Sequence, residues 1–216
     1  MKFAVIGLGS FGSHAAKKLY ENGEEVLAID IDGDRVEFIK NYVSHAVHMD
    51  AADKENLEAL GIKDMDVVIV SLGPQMEASI LTVLYLHELE VKRVIAKALT
   101  EDHKKILDSV GATEVIFPEK DMAIRTALRL SNPNLLEHLP LMAGVEIQQL
   151  APPGKFVGKS LQELDLRNKY NVNVIAVKGL IPEKTTLIPD ADFVVKDSDI
   201  LVVIGEKKDL KKISEL

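Results

Sequence analysis

Cysteine is absent from all 216 residues. That one absence excludes disulfides, cysteine-ligated zinc, iron–sulfur clusters and thiol catalysis. No apolar run approaches the ~18–20 residues that a helical bilayer span needs. The six histidines, His14, His45, His48, His87, His103 and His138, show no metal-ligand spacing. His45 and His48, three apart on an expected strand, point to opposite faces, so all six read as surface or packing residues. A positive surplus is missing too. The net charge is −8, with 23 Asp/Glu against 15 Lys/Arg up to residue 140 and 11 of each after it. Binding of duplex nucleic acid through a basic face is therefore not expected. Any polyanion taken up by the acidic half must be held by local backbone donors rather than by bulk charge. The opening residues read directly as a strand and leave no room for a signal peptide, so the expectation is a cytoplasmic protein with no direct membrane insertion.

What is present is a 47% hydrophobic content, enough for a packed core. The first stretch, Lys2-Phe3-Ala4-Val5-Ile6-Gly7-Leu8-Gly9-Ser10-Phe11-Gly12, runs an apolar strand into glycines spaced G-x-G-x-x-G. Gly7 permits the tight turn off the strand, Gly9 lets a pyrophosphate approach the backbone, and Gly12 lets the following helix lie close on the sheet. The free N–H groups of that helix's first turn, with the helix dipole, favour an anion there by about 0.3–1 kcal/mol. A second apolar strand, Val26 to Ile29, ends at Asp30, 18 positions past Gly12. An acid at that place accepts hydrogen bonds from a ribose 2′-OH.

The rest of the first half repeats the alternation. Expected strands are His45–Met49, Val67–Val70, Val94–Ala96 and Val115–Phe117. Helices are expected from about Ser10, Asp32 or Asp34, Asp53, Ile80, Thr100 and Lys120. Six strands alternating with helices predict an α/β fold, a Rossmann-like doubly wound parallel sheet, over residues 1–138. Ligands of such sheets sit beyond the carboxyl ends of the strands, which nominates Asp50 and Ala51 after strand three, Ser71 and Gly73 after strand four, and Lys97 after strand five. Asn132-Pro133-Asn134 and Leu139-Pro140 break the pattern. Residues 139–216 then predict a small α+β module of mixed pairing, with strands over 145–150, 172–177 and 199–205 and a short helix carrying Leu161, Leu164 and Leu166.

Two groups of segments resemble the RCK (regulator of potassium conductance) modules of the KtrA/TrkA-type subunits of bacterial potassium uptake. Lys2–Gly12, Asp30, Asp50-Ala51 and Pro118-Glu119-Lys120-Asp121 are similar to the nucleotide-binding module. Phe156–Leu161, Leu164–Arg167 and Val172–Val177 are similar to the C-terminal one. A single copy of each looks more like KtrA than like the duplicated TrkA arrangement. The resemblance implies a regulatory, non-catalytic subunit that binds ATP/ADP or NAD(H). It implies self-association as a dimer and an octameric ring, docking beneath a membrane potassium-translocating subunit, peripheral to the inner face of the membrane.

By the same resemblance Asp30 holds the ribose, Asp50 and Ala51 lie by the adenine, and Gly7, Gly9, Ser10 and Gly12 surround the phosphates. Ser71, Gly73 and Lys97 close the far side. Glu119 approaches the partner's nucleotide, where it can hold a divalent cation. With Phe11 and Ile31 beside them, these are the candidate contacts. Ser10 departs from the arginine that many KtrA-like loops carry; a hydroxyl gives one neutral hydrogen bond and no charge, so NAD(H), ADP and AMP gain weight against ATP. In some related C-terminal modules a cyclic dinucleotide sits at the dimer seam, which here would involve Asn173, Ile175 and Pro189. The alternative, a small NAD-dependent oxidoreductase, lacks a Tyr-x-x-x-Lys pair: Tyr20, Tyr42, Tyr85 and Tyr170 have no lysine four positions on. A redox-sensing transcription factor would need a DNA-reading helix, for which no segment is left over.

Overall fold

The computed structural model describes every residue except Pro133, and the side chain of Pro140 is also left undescribed. The chain divides into two compact units, Met1–Lys120 and Asp121–Leu216.

The first unit alternates strand and helix: β1 (Lys2–Ile6), α1 (Ser10–Glu21), β2 (Glu25–Asp30), α2 (Gly33–Ile39), β3 (His45–His48), α3 (Lys54–Ala59), β4 (Val67–Val70), α4 (Met76–Glu88), β5 (Val94–Lys97), α5 (Glu101–Ser109) and β6 (Glu114–Ile116). α6 (Pro118–Ser131) leads out of it. The six strands form one parallel sheet in the order β3-β2-β1-β4-β5-β6. Strand alternation feeds two cores. Ala4, Ile6, Leu27, Ile29, Val68 and Val70 pack with Leu57, Val83, Leu86 and Leu107 of α3–α5. Val5, Val26, Ala28, Val67 and Ile69 pack on the other face with Ala16 and Ile39. Apolar residues on both faces explain why β4 reads Val-Val-Ile-Val without alternation.

The helix starts follow local chemistry. The Asp32 carboxylate accepts the N–H groups of Asp34 and Arg35, Asp53 accepts that of Glu55, and Thr100 Oγ1 that of His103. Each satisfies an amide that the helix itself leaves unpaired. Pro118 opens α6 because its fixed φ suits a first turn and its missing N–H is not needed there.

The second unit carries β7 (Leu135–Met142), β8 (Val145–Leu150), α7 (Leu161–Leu164), α8 (Leu166–Tyr170), β9 (Val172–Leu180), β10 (Glu183–Leu187), β11 (Asp199–Glu206) and α9 (Lys207–Ser214). Its sheet order is β10-β9-β11-β8-β7, and every pairing is antiparallel rather than mixed. Hairpins join β7 to β8 and β9 to β10, and β11 inserts between β8 and β9, antiparallel to both, so no parallel pair arises. β7 occupies the stretch expected to break the pattern; Pro133 of that expected break lies outside the described residues. β10 has the polar sequence of an exposed edge and shows no apolar alternation. The core under this sheet gathers Leu150, Phe156, Leu164, Leu201, Val203, Leu210 and Ile213.

Candidate functional site

β1 is flanked by β2 on one side and β4 on the other, so strand order reverses there, and an open crevice of about 400 Å³ lies at the carboxyl ends of these strands. Gly7, Gly9, Ser10, Phe11, Asp30, Ile31, Ser71, Gly73 and Lys97 all line it. That is the place at which a doubly wound sheet receives a ligand.

The glycine loop has the mechanics its spacing predicts. Gly7 has φ +90°, and a Cβ on it would stand 2.3 Å from the Ser71 carbonyl oxygen. A Cβ on Gly12 would stand 1.9 Å from the Gly7 carbonyl oxygen. Gly12 therefore sits beneath the loop and brings α1 against it, rather than lining the crevice. A Cβ on Gly9 would meet nothing within 4 Å; its exposed side is open space at the crevice. Gly9 is also the residue before α1, which has no side-chain cap and no acid in its first turn. The positive end of the helix is thus left to an incoming anion.

Asp30 is 4% exposed yet borders the crevice. Its Oδ2 accepts the Leu8 N–H at 2.5 Å and its Oδ1 accepts the Asp32 N–H at 2.8 Å. The carboxylate thereby ties the glycine loop to the end of β2. An ionised carboxylate has about four lone-pair sites, so acceptor capacity is left for ribose hydroxyls. Arg35 stands beside it, with Nη1 3.6 Å from Asp30 Oδ2 and Nε 3.2 Å from Asp32 Oδ2. Arg35 and Asp32 both line the crevice, as do Leu72, Pro74 and Gln75; none of these five was named from the sequence as a site residue. A guanidinium one helical turn into α2 was the available signal, since D-x-D-G-D-R places it next to two acids.

Lys97 and Glu119 were read as separate candidates, and they form an ion pair. The pairing of Lys97 with Ile116 across β5–β6 brings the start of α6 to the end of β5. The lysine side chain is 10% exposed and the glutamate 66%; Lys97 lines the crevice, whereas Glu119 does not. The hydrogen bond from Lys97 holds the Glu119 carboxyl below its ordinary value of 4.5. A depressed carboxyl stabilises the fold above that ordinary value, and the contribution is lost as pH falls through the depressed one. Glu119→Gln should therefore flatten the stability profile below about pH 4.5, by less than about 1 kcal/mol for so exposed a partner. Thermal unfolding across an acid pH series measures it; an unchanged profile would contradict the pairing.

Asp50 and Ala51 do not line the crevice. Asp50 accepts the Ala52 N–H in its own turn, and the buried Ala51 offers its carbonyl to Thr82 Oγ1. Among the described residues no three His, Asp or Glu side chains gather as a metal-binding group, and no helix is long and apolar enough to cross a membrane.

A Rossmann-type unit with an open crevice at its glycine loop is followed by a small antiparallel module, and two family models match the chain in the same order. The TrkA-N domain matches residues 3–118 and the TrkA-C domain residues 149–216, and the chain belongs to this TrkA/RCK family. Its likeness to the Ktr branch runs nearly end to end. It is 39% identical to the Ktr system potassium uptake protein C of Bacillus subtilis strain 168, across 99% of this chain and 96% of that one. It is 38% identical to protein A of the same system and organism, across 98% and 94%. Its fold is also that of a solved GsuK channel bound to NAD, with a TM-score of 0.56 at 20% identity over 99% of this chain; the chain spans 38% of that channel's length. The Ktr relatives are potassium uptake proteins and not enzymes, which sets the oxidoreductase alternative aside.

Proposed function

We propose that the chain is the nucleotide-sensing regulatory subunit of a potassium uptake system. The observation that carries this reading is the crevice itself: it is open, its floor is backbone at Gly7 and Gly9, and a buried carboxylate, Asp30, is set at its edge. The ligand is an adenine nucleotide, ATP/ADP or NAD(H), with its diphosphate at the start of α1 and its ribose on Asp30. Ser71, Gly73 and Lys97 close the opposite wall. The adenine assignment of Asp50 and Ala51, and the divalent cation at Glu119, rest on the family likeness alone.

The subunit works as a dimer within an octameric ring, at the cytoplasmic face of a membrane potassium-translocating partner; the Ktr potassium uptake relatives support the transport role, and the ring rests on the family resemblance. For the nucleotide to signal, two ligands must bind two ring shapes unequally, and each tenfold difference supplies about 1.4 kcal/mol of bias. Arg35 is shared between two carboxylates, which leaves little of its charge for a 2′-phosphate and favours nucleotides with a free 2′-hydroxyl.

Calorimetric titration of the protein with ATP, ADP, NAD and NADH should show micromolar to millimolar binding of at least one. Binding of none would end this reading. Because Ser10 supplies no charge, Ser10→Arg should raise the ratio of ATP to ADP affinity by roughly tenfold, about 1.4 kcal/mol. An unchanged ratio in the same titrations would mean that position 10 does not face the terminal phosphate.

A further inference from the structure

A second cavity, of about 370 Å³, lies wholly within Asp121–Leu216, between the β7–β8 face and the helices α6 and α9. We propose that it binds a small zwitterion of the amino-acid class, its amino group set against Glu146 and Gln148 and its anionic group against Lys207 and Lys211. This site is separate from the nucleotide crevice and does not depend on it.

The argument starts from β8. Alternation sends Glu146, Gln148 and Leu150 to the inner face of the sheet, and the first two are each 7% exposed. A fold gains nothing from two polar side chains at core positions unless their hydrogen bonds are met. Here they are met only in part. Gln148 Nε2 donates to Glu146 Oε2 at 3.2 Å, while Gln148 Oε1 has no partner. His138 Nε2 stands 3.0 Å from the same Glu146 oxygen, but out of line, so that it too makes no hydrogen bond. The Gln148 amide oxygen, left without a donor beside the Glu146 carboxylate at a cavity wall, calls for a cationic N–H donor that can reach both.

The rim has the opposite character. Lys207 and Lys211, one turn apart on α9, both line the cavity. Lys211 shares its charge with Glu215 at 3.5 Å, and the Lys207 ammonium has no ion-pair partner among the described residues. A simple anion entering past them would meet Glu146, and a simple cation would have to pass two ammonium groups. A ligand with both charges satisfies both ends, and Leu135 gives its carbon skeleton an apolar wall.

The test is a thermal-shift and calorimetric screen of the full-length protein with the twenty amino acids and phosphoethanolamine at millimolar concentration. At least one should raise the melting temperature and titrate to a single site. Glu146→Gln should weaken that binding by at least roughly tenfold, about 1.4 kcal/mol. The exposed pair Lys207→Ala/Lys211→Ala, which leaves the interior intact, should weaken it similarly while circular dichroism and oligomeric state stay unchanged. No stabilisation by any of these compounds would overturn the proposal. Binding that survives both variants would overturn it equally.

Discussion

Gly12→Ala should cost the nucleotide-binding unit about 3 kcal/mol or more of stability, whereas Gly9→Ala, three residues earlier, should cost well under 1 kcal/mol. The two glycines belong to one motif, but their surroundings differ completely. At Gly12 the added methyl would meet the Gly7 carbonyl at 1.9 Å. That neighbour is main chain, held in turn by the Gly7 N–H bond to the Ile29 carbonyl at 2.8 Å, so it has no rotamer into which to retreat. Either α1 lifts off the sheet or the loop gives way. For a domain of this size the loss should lower the melting temperature by roughly 6–12 °C. At Gly9 the methyl enters open space and φ is −64°, an angle that any residue accepts. Its penalty falls on the ligand: the methyl occupies the ground over which a diphosphate approaches, and nucleotide affinity should drop by roughly tenfold or more, about 1.4 kcal/mol. Thermal unfolding and calorimetry on the two variants separate these outcomes. Equal melting temperatures would contradict the packing at Gly12, and undiminished binding by Gly9→Ala would contradict the place given to the phosphates.

Asp30→Asn should be nearly as severe, and for a different reason. Both carboxylate oxygens accept backbone N–H groups, from Leu8 and from Asp32. An amide has one oxygen, so either variant rotamer sets an NH2 group against one of those donors. The buried mismatch costs about 1–3 kcal/mol, and the charge that holds Arg35, and that we propose receives the ribose, disappears with it. Nucleotide affinity should fall by roughly 10–100-fold, about 1.4–2.8 kcal/mol. Binding within twofold of the wild type would remove Asp30 from the site.

Much of the first unit was legible because each of its strands is followed by its own punctuation. Asp32, Asp53 and Thr100 cap the helices they were expected to cap, or lie within a residue or two of the expected start, and the parallel sheet follows from the alternation. The crevice residues were legible because strand ends are local features. What escaped were relations across the chain. The Lys97–Glu119 pair depends on β6 lying beside β5, and Arg35 reaches the crevice only because α2 turns back over the end of β2. The second unit was less readable. Its β10 is a polar edge strand, and α9 is a short Lys-Lys-Asp-Leu-Lys-Lys-Ile-Ser helix whose two apolar residues, Leu210 and Ile213, share one face but are few in a lysine-rich stretch. β8 hid its most informative feature, since Glu146 and Gln148 look like solvent-facing positions until the sheet turns them inward.

A crystal structure of the protein with ADP tests the central claim most directly. The account predicts the diphosphate against the backbone of Gly9, Ser10 and Phe11, and a ribose hydroxyl within hydrogen-bonding distance of an Asp30 carboxylate oxygen. ADP bound at another place on the chain, with this crevice left empty, would contradict it.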